Sequence, residues 1–268
     1  MRIFLMTLLF AVFAVPLLAQ DFDKGWDAYT SGDYATALKH WRPLAEQGSS
    51  RAQHNIGFMY RRGIGVAQDS KESIKWFSLA AHQGYTQAQI NLGLIYQNGA
   101  GAIQDDIEAV KWFRAAAEKG NAKAQTNLGI MYADGRGVSK DDQEAVKWFN
   151  LAAVQGYAQA QTKLGVMHRR GTGLPQNDVE AAKWFRLAAE QGYAQAQTNI
   201  GFMHQKGDGV ALDYSMAHMW YSLAATKGNQ DGLWGRAIIT KKMTQKDISK
   251  AQAMARKCMN SGYQECGY

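Results

Sequence analysis

Cysteine and proline are nearly missing from this chain of 268 residues: it has 2 cysteines, both within the last eleven positions, and 3 prolines. So few cysteines exclude a zinc ribbon, an iron–sulfur protein and a cysteine-rich secreted scaffold. Scarce proline beside abundant alanine argues for helices. No H-E-x-x-H, nucleophile elbow, P-loop or paired-cysteine metal motif occurs, so the usual signatures of metallohydrolases, esterases and nucleotide hydrolases are lacking. Long apolar runs are lacking too, except in residues 1–19. What is present is a chain 46% hydrophobic and 20% charged, too apolar for a disordered tail, with 27 glycines and 8 tryptophans.

Residues 1–19 read as a secretory signal: Arg2, an apolar run from Ile3 to Leu18, then Ala19 ahead of the polar Gln20 and Asp21. Cleavage is expected near Ala19, and the mature protein is expected to be periplasmic or secreted, with no transmembrane anchor. The formal net charge of +7 is concentrated at the other end. Residues 241–257 hold six bases (Lys241, Lys242, Lys246, Lys250, Arg256 and Lys257) against Asp247, leaving the rest of the chain close to neutral. A basic end meets anionic partners, and export argues against nucleic acid as one of them.

The chain is organised by a period of 36 residues. Gly48, Gly84, Gly120, Gly156, Gly192 and Gly228 keep it, as do Trp76, Trp112, Trp148, Trp184 and Trp220. So do Gly57, Gly93, Gly129, Gly165 and Gly201. Such self-similarity marks a repeat architecture in which each unit packs on its neighbours. Within a unit Ala52, Ile56 and Tyr60 line one face of a first helix. Gly63 and Gly65, with their copies, suit a helix C-terminus and tight return. Asp69 with Glu72 has the capping-box spacing, repeated at Asp105/Glu108, Asp141/Glu144 and Asn177/Glu180. A second helix carries Ile74, Trp76, Phe77, Ala80 and Ala81. The expected fold is an all-α, right-handed α-solenoid of antiparallel helix pairs. A glycine inside the first helix costs about 1 kcal/mol against alanine. Its recurrence at Gly57 and the four copies predicts a bulky ring against bare backbone, assigned to the Trp76 column.

These residues resemble the Sel1-like repeat family. Ala124, Leu128, Gly129, Tyr132, Gly135, Gly137, Asp141, Ala145, Trp148, Ala152, Ala153 and Gly156 match its pattern. The resemblance covers five units over residues 49–228. Residues 20–48 look like a tetratricopeptide hairpin, with Ser31-Gly32-Asp33-Tyr34 before Ala37-Leu38, and 229–268 form an atypical C-terminal cap. The resemblance implies a scaffold for protein–protein contact, often exported in bacteria. Cys258 and Cys266 stand four residues either side of Gly262, offsets that in the repeats hold small residues such as Ala80 and Ala88 around Gly84. Facing small pairs replaced by cysteine come within disulfide reach, and a cysteine-rich branch of the family has this spacing. A staple on the cap is the expected role.

Binding is expected at positions that vary between otherwise matching units. On the first helix these are His54, Phe58, Arg61, Arg62, Ile90, Leu94, Ile130, Val166, Arg169, Arg170, Phe202 and Lys206. Positions 54, 58, 61 and 62 are neighbours on one helix side, predicting a ridge with an apolar centre and basic edges along a concave face. The expected partner is another protein; an anionic envelope polymer is the alternative. Catalysis is not expected, and no cofactor or metal is called for. His168 and His204 share a column but lie a helix pair apart, about 10–20 Å. Some cysteine-rich relatives act on β-lactams, yet no Ser-x-x-Lys occurs, and Thr36-Ala37-Leu38-Lys39 is its nearest match.

Overall fold

A computed structural model describes residues 21–266, and among these every regular element is a helix. The expected leader, residues 1–19, lies outside the described residues. The helices follow in pairs: α1 (residues 21–30) and α2 (Tyr34–Glu46), α3 (Ser50–Arg62) and α4 (Ser70–His82), α5 (Thr86–Asn98) and α6 (Asp106–Ala117). Then come α7 (Ala122–Asp134) and α8 (Asp142–Ala153), α9 (Ala158–Arg170) and α10 (Asp178–Ala189), α11 (Ala194–Lys206) and α12 (Tyr214–Thr226). The last are α13 (Gln230–Thr240) and α14 (Gln245–Asn260). The chain divides into two compact blocks, through Lys119 and from Gly120. In each block consecutive helices pack together as pairs.

Local chemistry sets the helix ends. Gly63, Gly99, Gly135, Gly171 and Gly207 each follow a first helix in the left-handed conformation, φ between 64° and 79°. A side chain there would be strained, so glycine closes the helix. At the next start Asp69 Oδ1 accepts the amides of Lys71 and Glu72. The reciprocal half of the expected capping box is not made. The Asp69 amide instead donates to the carbonyl of Tyr60 on the partner helix at 3.0 Å, and Asp105, Asp141, Asn177 and Asp213 repeat this bond. With that donor satisfied, Glu72 turns outward, accepting from Lys75 at 3.0 Å and from the Trp76 indole at 3.1 Å.

The ring against the helix glycine comes from the residue after the tryptophan. A Cβ on Gly57 would lie 2.9 Å from Phe77, on Gly129 2.7 Å from Phe149, and on Gly201 3.1 Å from Tyr221. This corrects the assignment to the Trp76 column. About 100° around the helix, tryptophan packs back onto the preceding pair instead. Trp76 joins Trp41, Leu44, Ala52 and Ile56; Trp112 joins Phe77, Ala80 and Leu92; Trp220 joins Phe185 and Ala188. Phenylalanine thus clamps the two helices of a pair, and tryptophan joins one pair to the last.

A buried glutamine column adds polar bonds at the same junctions. Gln53, Gln89, Gln161 and Gln197 donate to the carbonyls of Ala45, Ala81, Ala153 and Ala189 at 2.9–3.2 Å. Gln83, Gln155 and Gln191 donate in turn to the side-chain oxygens of Gln53, Gln125 and Gln161 at 2.7–2.8 Å. Lysine replaces that donor at Lys119 and Lys227, where the ammonium reaches the carbonyls of Gly84 and Gly192. The oxygens of Gln89 and Gln197 then have no partner among the described residues.

The C-terminal pair departs from the pattern. Ala237 occupies the glycine position and Lys257 the phenylalanine position, so the clamp is absent. Helix α13 packs on α11 and α12, and α14 packs on α12. Cys258 and Cys266 form a disulfide with their Cα atoms 4.5 Å apart. Both are buried in the core that holds Met216, Met219 and Trp220.

Candidate functional site

The first block contains a cavity of about 460 Å³ between α1 and α3. Its position follows from a change of register. In the repeats, glycine and clamping ring are twenty residues apart (Gly57 and Phe77); in the first hairpin the equivalent pair is Gly25 and Trp41, sixteen apart. The shorter connection moves α1 four residues along the pattern, so Phe22 and Trp26 take the places of His54 and Phe58. Two aromatic residues of α1 thereby stand beside two of α3.

The walls are aromatic and mutually braced. The Trp41 indole donates to the Phe22 carbonyl at 3.1 Å, and its ring lies 5.8 Å from Phe22 and 5.6 Å from Tyr29. Trp26 stacks on Tyr29 at 6.0 Å and remains 49% exposed. Phe58 and Tyr85 complete the lining, with Arg51 placing its guanidinium 4.0 Å over the Phe22 ring. Aromatic pairs of this kind prefer fixed offsets, which stiffens the hollow. Asp23, Asn55 and His54 add polar groups.

A hydrogen-bonded chain holds His54 in place. Arg61 Nη1 donates to Asn91 Oδ1 at 3.0 Å, which orients the Asn91 amide toward His54 Nε2 at 3.1 Å. Nε2 must therefore accept, and the proton sits on Nδ1, facing Asn55 Oδ1 at 3.3 Å. Burial pushes the His54 pKa below its ordinary value; a bond to Asn55 opposes this, and the Arg61 charge adds to it. The ring also packs 5.2 Å from Tyr85.

The residues expected from sequence fall into several environments. His54 and Phe58 line the cavity, Arg61 is tied to Asn91, and the exposed Arg62 lies 5.8 Å from the Phe58 ring. Leu94 is half-buried. Ile90 is only 3% exposed, so it belongs to the core and leaves the ridge. Thr126, Thr162 and Thr198 in the same column are buried as well, their hydroxyls bonded to carbonyls one turn back. In the second block Ile130, Val166 and Arg170 border a hollow of about 220 Å³ with Lys140, Lys163 and Asp142. Arg169 and Lys206 lie 5.5 Å and 5.8 Å from the Phe202 ring. Phe22, Asp23, Trp26, Tyr29, Trp41, Arg51, Asn55 and Tyr85 were not expected; the Gly25–Trp41 spacing is the signal that finds those of the first hairpin. Among the described residues no group of three or more His, Cys, Asp or Glu side chains is placed to hold a metal ion, and no helix is long and apolar enough to cross a membrane.

Comparison with known proteins follows the helix pairs. The Sel1 repeat matches residues 22–49, 50–85, 86–121, 122–157, 158–193 and 194–229. The first of these segments is the hairpin likened above to a tetratricopeptide unit. Curated proteins give no match. Among solved structures, a protective antigen of uropathogenic Escherichia coli strains with an SLR fold is 30% identical, with a TM-score of 0.85. That alignment covers 92% of this chain and 55% of the antigen, so the chain spans about half of its length. A Sel1 repeat protein from Oxalobacter formigenes is also 30% identical, with a TM-score of 0.78 over 88% of this chain and 99% of that one. The chain belongs to the Sel1 repeat family.

Proposed function

We propose that this protein is an exported, non-catalytic adaptor that grips a protein partner through the aromatic hollow between α1 and α3. Sel1 repeat proteins generally mediate protein–protein interaction, and the family is generally non-catalytic. The observation that carries the reading is the cavity itself. It is lined by Phe22, Trp26, Tyr29, Trp41, Phe58 and Tyr85, with a half-exposed tryptophan at its edge. Interfaces take most of their affinity from a few aromatic and arginine anchors seated in such hollows. The hollow is large enough for one or two side chains of a partner, and Asn55, Asp23 and Arg51 would orient its backbone. Export is supported by the leader-like residues 1–19 and by the disulfide, which persists in oxidising compartments.

The anionic-polymer reading has less support. Arg61 is committed to Asn91, and Arg169 lies against Phe202, so the arginines do not form an unoccupied basic row. The β-lactam reading has none, since Thr36 and Lys39 stand on α2 away from the cavity lining. The test is affinity capture from the producing organism's envelope fraction. A partner retained by the native protein is expected to be lost with Trp26→Ala or Phe58→Asp, and the melting temperature of Trp26→Ala, whose side chain is half exposed, should stay near native. A specific partner retained undiminished by both variants contradicts the proposal.

A further inference from the structure

We propose that the C-terminal cap is a docking surface for anionic phospholipid. The binding stripe of the first helices continues into α13, where Trp234, Ile238, Lys241 and Lys242 stand in register with His54, Phe58, Arg61 and Arg62. At earlier copies of the first position Ile90, Thr126, Thr162 and Thr198 are at most 8% exposed. Here Trp234 is 67% exposed and Ile238 is 53% exposed. The cause is the lost clamp: with Ala237 and Lys257 in place of glycine and phenylalanine, α14 settles on α12 and leaves one side of α13 uncovered.

That side has a definite composition. Trp234, Ala237, Ile238 and Lys241 follow at i, i+3, i+4 and i+7, one stripe of a helix, and all four are exposed. Lys242, Lys246, Lys250 and Arg256 are exposed beside or after it. The side chains of Lys241, Lys246, Lys250 and Arg256 make no hydrogen bond or ion pair among the described residues. The acid within the segment, Asp247, is engaged in the N-cap of α14, accepting from Thr244 Oγ1 at 2.7 Å.

An indole and an isoleucine standing out from α13, with Lys241 in the same stripe and further exposed bases on α14, fit a bilayer interface. The ring sits at headgroup depth, the aliphatic chain enters the acyl boundary, and the lysines face phosphates. An acidic polysaccharide would use the charges and leave the exposed apolar pair without a role. The surface is independent of the hollow between α1 and α3.

Vesicle co-sedimentation tests this, using phosphatidylcholine vesicles with and without phosphatidylglycerol. The full chain is expected to bind only the anionic vesicles, and less at high salt. Reversing charge with Lys241→Glu, Lys246→Glu and Lys250→Glu should weaken binding by at least ~100-fold, each lysine contributing roughly fivefold near an anionic surface. Trp234→Ala with Ile238→Ala should weaken it about tenfold. All five residues are exposed, so circular dichroism should be unchanged. Trp26→Ala should leave vesicle binding intact, which separates this proposal from the adaptor reading. Equal binding to neutral vesicles, or binding that survives the charge reversals, overturns the proposal. So does selective binding of an acidic polysaccharide, dextran sulfate, that is indifferent to Trp234 and Ile238.

Discussion

Pairs α3/α4 to α11/α12 and the last pair, α13/α14, read in one register, yet they pack differently. In the five pairs a bare glycine backbone lies against a ring, and the two helices close on each other. In the last pair alanine and lysine occupy those positions, α14 moves to α12, and a disulfide holds the end. The difference shows what the recurring glycine does. It lowers helix propensity, but it brings the helix axes close enough for ring-to-backbone contact, and where it is missing the pair opens.

The largest effect is expected at Gly129. Gly129→Leu drives a branched side chain into Phe149 and should cost at least ~3 kcal/mol, read as a collapse of the thermal transition. Ala237→Leu, at the equivalent position of α13, should stay within about 0.5 kcal/mol because no ring faces it. Equal losses at both sites would show that the clamp is not what distinguishes the pairs.

Next in size is the disulfide. Replacing Cys258 and Cys266 by serine removes the link that substitutes for the clamp, at a cost of about 2–3 kcal/mol in urea unfolding. The glutamine column sharpens the contrast between junctions. Gln161→Leu strips bonds from both Gln191 and the Ala153 carbonyl and should cost about 2 kcal/mol. Gln89→Leu should cost about half of that, since its oxygen has no partner to lose. Smallest is the effect of pH. Burial lowers the pKa of His54, His204 and His218 from 6.5. The unfolded chain therefore binds more protons than the folded one just below that value. Stability should be complete above about pH 6.5 and decline as pH falls toward the lowered values; in pH-dependent unfolding, His54→Gln should shallow that decline.

Much of the fold was legible because its determinants are local and repeated. Column-forming glycines and tryptophans revealed helix pairs, and the alanines at Ala80 and Ala88 placed the cysteines opposite one another. The errors share one cause, which is that periodicity does not tell which column faces which neighbour. Trp76 and Phe77 repeat equally well, and only packing shows that Phe77 meets Gly57. The capping box failed because a carbonyl from the partner helix, Tyr60, already takes the Asp69 amide. Ile90 varies among units without being exposed, because a buried threonine elsewhere in its column satisfies its hydroxyl on its own helix. The α1 wall of the candidate site was hidden by four residues missing from one loop, which shifts Phe22 and Trp26 out of the 36-residue count.

The most direct test is a double-mutant cycle between Gly129 and Phe149. Gly129→Ala is expected to be costly beside the native ring and much cheaper in a Phe149→Leu background, a coupling of about 1–2 kcal/mol. Strictly additive losses would mean that the ring and the bare backbone do not hold the pair together.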